Sequence, residues 1–295
     1  MILVTLLWST AGVVSRHLEV AKGFEVTFWR SAFNALSLVL ALSWMRGAAF
    51  WRQLPRMPRA VWISGLCWSV MFTAFMMAIT MTTVANVLVT MALGPLLTAL
   101  FSRLFLHHRL PLRTWIAIVL GSAGIAWMFG HEMQGSAASL AGMGVALAVP
   151  LAAATNWTLL QRIAHSDAAL EKPDMLPAVL IGALLSALMT LPMAWPFAAT
   201  AHDLTLLAGL GLTQLAIPCL LVVRLTRVLP APEVALLGLL EVIFGVLWAW
   251  WGAGEVPSSS ALWGGAMVLA ALVGNEWLGW RRAPRSPQKS ARPEQ

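Results

Sequence analysis

The sequence predicts an all-α polytopic membrane protein: ten transmembrane helices arranged as two inverted five-helix repeats around a central cavity. Three observations predict it. The 295 residues are 59% hydrophobic and only 11% charged, and the mean hydropathy of +0.79 lies far outside the soluble globular range. The chain supplies about ten apolar runs near the length that a hydrocarbon core of about 30 Å requires of a helix. Finally, shifting the chain by 147 positions lays Met81–His108 over residues 228–255 without a gap, pairing Asn86 with Glu233, Gly94 with Glu241 and His108 with Glu255.

The runs fall at 2–16, 26–45, 61–80, 84–106, 114–130, 139–161, 175–197, 204–223, 233–252 and 260–280. The first starts at Met1 and is short for a span, which leaves open whether it is complete. With no basic stretch ahead of it and no cleavage site, it reads as a span and not as a removable signal. Five spans followed by five, related by an odd-numbered repeat, have opposite orientations in the membrane, the inverted-repeat arrangement of many secondary transporters. The first repeat is 1–130 and the second 139–280. Between them, 131–138 belongs to a polar, turn-rich linker, GHEMQGSAAS.

The net charge of +7 and the pI near 11.0 would suit nucleic acid, but the placement of the basic residues decides otherwise. With the N-terminus inside, the inner segments hold Arg46, Arg52, Arg56, Arg59, Arg103, Arg109, Arg113, Arg162, Lys172, Arg224, Arg227, Arg281, Arg282, Arg285, Lys289 and Arg292, sixteen of the nineteen. Arg16 and Lys22 lie in an outer loop and Arg30 within a helix, which is the positive-inside pattern. Both termini are therefore expected in the cytoplasm of a cell with a bacterial-type inner (plasma) membrane, and the linker in the periplasm. The basic tail 281–295, with its Pro and Ser residues, is expected to be disordered and weakly attracted to anionic lipid. Cys67 and Cys219 fall inside predicted helices and read as free, buried thiols. The six histidines show no metal-ligand spacing, so neither a metal nor a cofactor is expected.

In helix 1, Thr5, Trp8, Ser9 and Gly12 form a small-and-polar stripe that serves either close helix packing or a cavity wall. Helix 2 carries Arg30 about five residues, roughly 8 Å, in from its outer end. The expectation is that it snorkels to the outer surface; the sharper alternative is an ion pair with Glu241. Trp68 in helix 3 lies at mid-depth, away from the interfacial belt where most of the sixteen Trp residues fall. In helix 4, Asn86, Thr90, Gly94 and Thr98 recur every four residues and share one face. That face hydrogen-bonds a neighbouring helix or lines a wet cavity. Pro95 frees the Met91 carbonyl from the helical ladder, and within a bilayer that group needs another partner. Helix 6 presents Asn156 and Trp157, which the repeat lays over Ser9 and Thr10. Helix 8 has Gln214 at mid-depth over Cys67, and Pro218 to bend it.

Helix 9 holds Glu241, a lone carboxylate in an apolar run. An acidic residue at a helix centre costs roughly 2.5–3.5 kcal/mol on insertion, so such residues usually face a bundle interior or a watery cavity and mark a pathway. Gly238, Gly245 and Trp248 share its face, leaving the backbone open to close approach. A carboxyl that alternates between protonated and ionised states there would couple transport to protons. The competing reading is a Glu that only fastens helices.

Two stretches, LGPLLTALFSRLFLHHRLPLRTWIAIVLGSAGIA at 93–126 and LLEVIFGVLWAWWGAGEVPSSSALWGGAMVLAALVG at 239–274, resemble the ten-helix EamA-type branch of the drug/metabolite transporter superfamily. Each has a small or acidic residue, an apolar span, a Gly-Glu-Arg-like turn and a Gly-containing closing helix. Phe28-Trp29-Arg30 is similar to the family's early arginine motif, and Leu7-Trp8-Ser9-Thr10 to the start of the superfamily's aromatic amino acid exporters. This sequence departs from the pattern at His107-His108, which stand where the first turn would have Gly-Glu, and at Val242 and Val256.

The resemblance implies export of small metabolites, often amino acids, through a cavity lined by helices 1, 3, 4, 6, 8 and 9. Trp8, Ser9, Trp68, Asn86, Thr90, Asn156, Trp157, Gln214 and Glu241 are the candidate substrate-binding residues on those helices, with Glu241 also the coupling candidate. The leading expectation is alternating-access export of amino acids, aromatic or otherwise apolar, and related metabolites. A multidrug or quaternary-cation exporter, in which Glu241 and the aromatics attract a cation, and a non-transporting scaffold are the alternatives. An enzyme is not expected, because acid–base catalysis needs positioned partners and the sequence offers no GxSxG, no paired intramembrane carboxylates and no histidine at membrane depth. The exact substrate, direction, coupling ion and oligomeric state are left open.

Overall fold

The computed structural model describes residues 1–15, 17–21, 23–47, 49–82, 84–107, 110–130, 137–165, 173–254 and 259–282. Residues 131–136 of the expected linker and 283–295 of the expected tail lie outside the described residues. Ala137 and Ala138, expected in the linker, already belong to a helix.

Regular structure among the described residues is helical throughout. In chain order it comprises α1 (Ile2–Trp8), α2 (Thr10–Ser15), α3 (Phe24–Arg46), α4 (Ala49–Gln53), α5 (Arg59–Met81), α6 (Val84–Met91), α7 (Gly94–Phe105), α8 (Leu112–Phe129) and α9 (Ala137–Ala164). Then follow α10 (Leu176–Ala194), α11 (Ala201–Gly209), a π-helical stretch Leu210–Ala216, α12 (Ile217–Leu225), α13 (Ala231–Gly238), α14 (Leu240–Ala253) and α15 (Ser259–Arg282). Among the described residues seven apolar segments are long enough to cross a membrane: Phe24–Arg46, Arg59–Ala78, Asn86–Phe105, Leu140–Ala164, Leu176–Ala194, Ala201–Leu225 and Ala231–Gly252. Three shorter apolar helices, Ile2–Ser15, Leu112–Met128 and Ser259–Asn275, accompany them. Each overlaps one of the runs read from the sequence. Their outer faces leave Leu40, Leu112, Leu188 and Val273 exposed, which suits a surface bathed in acyl chains. The protein is a polytopic membrane protein.

Proline sets many of the helix starts. α7, α10, α12 and α13 carry Pro95, Pro177, Pro218 and Pro232 in their first two positions, where the missing N–H costs nothing and φ is already helical. The runs 2–16, 84–106 and 233–252, read as continuous, are each broken near the middle. α1 gives way to α2 at Ser9, α6 to α7 at Ala92–Leu93, and α13 to α14 at Leu239. At the second break Pro95 cannot supply an N–H to the Met91 carbonyl, and Leu93 N–H turns to the Thr90 carbonyl at 3.2 Å. The neighbouring Ala92 carbonyl accepts from Ser122 Oγ of α8 at 2.7 Å, as irregular backbone at membrane depth requires. The third break has no proline; beside Gly238, Leu239 N–H bonds the Leu236 carbonyl and Val242 N–H the Leu239 carbonyl, each at 3.1 Å.

These features repeat along the chain. α6 and α13 start 147 residues apart, as do α8 and α15. His107 and Gly254, the same distance apart, both adopt positive φ, +53° and +68°. The first is a position where glycine would be free of strain. α10 packs along α3 and α5, α5 along α9, α7 along α9 and α13, and α8 along α15; α1 packs against α12 and α14, and α3 against the π-helical stretch. The largest core joins Leu38, Trp68, Trp157, Leu180, Cys219 and Val234, and a second joins Ile118, Ile125, Met128, Leu236 and Val268.

Candidate functional site

The nine residues singled out in the sequence fall into three groups. The first gathers at the break between α1 and α2. Gln214, on the π-helical stretch, donates from Nε2 to the Trp8 carbonyl at 3.3 Å. Trp248 of α14 donates from Nε1 to Ser9 Oγ at 3.0 Å, and Ser9 Oγ donates in turn to the Leu6 carbonyl at 2.8 Å. Glu241 is half-buried in the first turn of α14. Among the described residues no hydrogen bond or ion pair reaches its carboxylate, although the charges of Arg30 and Glu241 act on each other.

Arg30 corrects an expectation. Instead of snorkelling outward it is 4% exposed, and it does not form the alternative close ion pair with Glu241 either. The segments at the outer end of α3 are tied down. Glu25 Oε1 accepts the N–H groups of Ala198 and Ala199, both at 2.8 Å. The buried Asp203 carboxylate accepts those of Glu19, Val20 and Ala21 at 2.8, 3.1 and 3.0 Å, while Thr200 caps α11. These bonds tie the segment before α3 and the first turn of α3 to the segment around the start of α11, which packs on α3. Arg30 Nε is buried without a partner.

One turn further along α3 lies Asn34, which was not anticipated. It is fully buried, and neither its Nδ2 nor its Oδ1 has a partner. The π-helical stretch presses against it: a Cβ on Gly211 would stand 2.6 Å from Phe33 Cβ and 2.8 Å from the Asn34 backbone nitrogen. Three residues on, Gln214 Oε1 is likewise buried without a partner. Native proteins pair the great majority of buried polar atoms, so three such side chains on two touching elements ask for an explanation.

The second group is aromatic. Trp68 and Trp157 meet edge to face at 5.4 Å and 80°, and Phe72 lies 5.5 Å from Trp68. Asn156 Oδ1 accepts from Ser64 Oγ at 2.6 Å, leaving Asn156 Nδ2 and Trp68 Nε1 buried without partners. Trp8 packs against the same core, which joins this group to the first. The third group, Asn86 and Thr90, lies on α6 with Thr98 following on α7. Asn86 Nδ2 donates to Thr82 Oγ1 at 2.7 Å, and the Thr90 and Thr98 hydroxyls donate to the Asn86 and Gly94 carbonyls at 2.7 and 2.8 Å. Cys67 and Cys219 are free and buried. Among the described residues no cluster of His, Cys, Asp or Glu could hold a metal ion. What the first two groups offer is a buried cation, a half-buried carboxylate, several unused amide and indole atoms, and Trp faces.

The chain is similar to several known proteins. Residues 1–130 match the EamA-like transporter family. The chain is 26% identical over 258 residues to the pseudopaline exporter CntI of Pseudomonas aeruginosa, in two strains, covering 84% of each chain. A solved crystal structure shares the fold with a TM-score of 0.79 over 95% of this chain and 96% of the other, at 17% identity.

Proposed function

We infer that the chain, whose residues 1–130 match the EamA-like transporter family, is a secondary exporter of amino acids and related small metabolites working by alternating access. The observation that carries this reading is the set of buried side chains with unused polar atoms, Arg30, Asn34, Asn156 and Gln214, together with the half-buried carboxylate Glu241. A fully assembled scaffold has no use for them; a substrate with both charges does. Export is the direction named for the Pseudomonas aeruginosa relative.

The carrier has ten spans in two inverted five-helix halves, both termini cytoplasmic in a bacterial inner membrane. The equal spacing of the helix starts supports the repeat, and so do the contacts. Exchanging the halves turns the α5–α9 contact into that of α12 with α1, and the α7–α9 contact into that of α14 with α1. Breaks at mid-helix also fit, since discontinuous helices form the midplane sites of many transporters. Rocking of one half against the other would open the site to each side in turn, with Trp8, Trp68 and Trp157 packing substrate side chains. Glu241 is the group through which protons would be coupled. The buried Arg30 weighs against a quaternary-cation substrate, which it would repel.

The test is uptake of a panel of labelled amino acids into proteoliposomes of the purified full-length protein. Saturable flux, competed by unlabelled substrate, is expected. Flux no greater than in empty liposomes across amino acids and lipophilic cations alike, with folded protein, would refute the carrier.

A further inference from the structure

We propose that Arg30 and Asn34 form the carboxylate-binding end of the substrate site. The inference rests on the carrier reading above and adds to it the chemical group that α3 selects.

Arg30 and Asn34 are four residues apart on one helix and therefore on one face. Both are buried, at 4% and 0% exposure. Among the described residues no hydrogen bond or ion pair reaches the Arg30 guanidinium, and both polar atoms of the Asn34 amide are orphaned. A guanidinium withdrawn from water without a counter-ion is costly, and its fork of donors matches a carboxylate in two-point fashion better than any other common group. Asn34 Nδ2 adds a neutral donor one turn away.

The acidic side chains that could have served as internal partners are otherwise disposed. Glu25 is held by two backbone N–H groups and Asp203 by a cluster of them. The buried Cys219 thiol and Glu241 both lie near enough to act on Arg30, yet neither bonds it among the described residues. A zwitterion fits this arrangement, its carboxylate on Arg30 and Asn34 and its ammonium toward Glu241. Gln214 Oε1, an orphaned acceptor on the stretch that touches α3, offers the ammonium a second partner.

The experiment measures equilibrium binding of tritiated L-phenylalanine and L-leucine to the full-length protein in detergent, with the unlabelled acids and their carboxamides as competitors. In the wild type the acids are expected to compete about 10- to 100-fold better than the amides, the range that loss of a charge-assisted pair gives. Arg30→Gln should erase that preference. Asn34→Asp supplies Arg30 with an internal counter-ion, so it should also erase the preference while unfolding at the same or a higher temperature than the wild type. This second variant keeps the test decisive if Arg30→Gln folds poorly. Equal competition by acids and amides in the wild type overturns the inference, as does a preference that survives in Asn34→Asp. Absence of binding by both acids, with flux of other compounds intact, overturns it too while leaving the carrier standing. Absence of all flux brings down both.

Discussion

Replacing Asn34 by leucine should make the protein more stable and a worse carrier. The side chain is fully buried, and its amide nitrogen and oxygen are both without partners. A buried polar group left unsatisfied costs about 1–3 kcal/mol. Leucine has the same branched four-atom skeleton, although its methyl groups take more room than the amide, and it removes two such groups. Against this stands the tight neighbour: Gly211 lies against the Asn34 backbone, and a branched side chain there gives back on the order of 1 kcal/mol in crowding. The net expectation is a gain of about 1–3 kcal/mol, or roughly 2–10 °C in Tm for a chain of this size. Near-UV circular dichroism in detergent during heating measures the first effect, and amino acid flux in proteoliposomes, expected to fall at least about tenfold, measures the second. A Tm lowered by several degrees would refute the reasoning, because it would mean that the amide is fully satisfied inside the resting protein.

Three further outcomes follow from the same geometry. Gly211→Ala places a Cβ 2.6 Å from Phe33 Cβ where ordinary contact is about 3.5–4.0 Å. α3 must therefore shift by about 1 Å, with a stability loss of about 1–3 kcal/mol and flux down on the order of 100-fold, read from thermal unfolding and initial rates. Glu241→Gln should leave folded protein whose flux no longer responds to an imposed pH gradient; an unaltered gradient response would remove Glu241 from any coupling role. His107→Gly relieves a side chain held at φ +53° and should raise stability by roughly 1 kcal/mol with unchanged flux, measured by thermal unfolding alongside transport.

Much of the bundle was legible because hydrophobic runs and proline are local signals. The runs overlap the helices, and Pro95 marked the weak point of helix 4. The break at Leu239 was not legible, since no proline stands there; its twin position at Ala92–Leu93, reached through the repeat, was the available clue. Arg30 was misplaced for a different reason. Thr27, Arg30, Ser31 and Asn34 recur on one face of α3 and are all buried, so the covered face was marked by its polar residues; what the sequence does not show is that the segments at the outer end of α3 are tied down by Glu25 and Asp203 through contacts distant in sequence. Asn34 was overlooked although its spacing of four from Arg30 was visible. Trp68 and Trp157 were each anticipated near substrate, and the structure brings them edge to face. Asn86 and Thr90 were read as facing either a neighbouring helix or a wet cavity; Asn86 bonds Thr82 at the end of α5, and the Thr90 hydroxyl bonds the Asn86 carbonyl.

The most direct measurement is side-specific labelling of Ser9→Cys, placed in a background where the buried Cys67 and Cys219 are replaced by alanine. Ser9 sits at the break of the first span, bonded to Trp248 in the group that holds Gln214 and Glu241. A membrane-impermeant thiol reagent is applied to vesicles of each orientation separately. Alternating access requires modification from both faces, slowed from each by a transported amino acid. Modification from one face only, with and without substrate, would contradict the carrier.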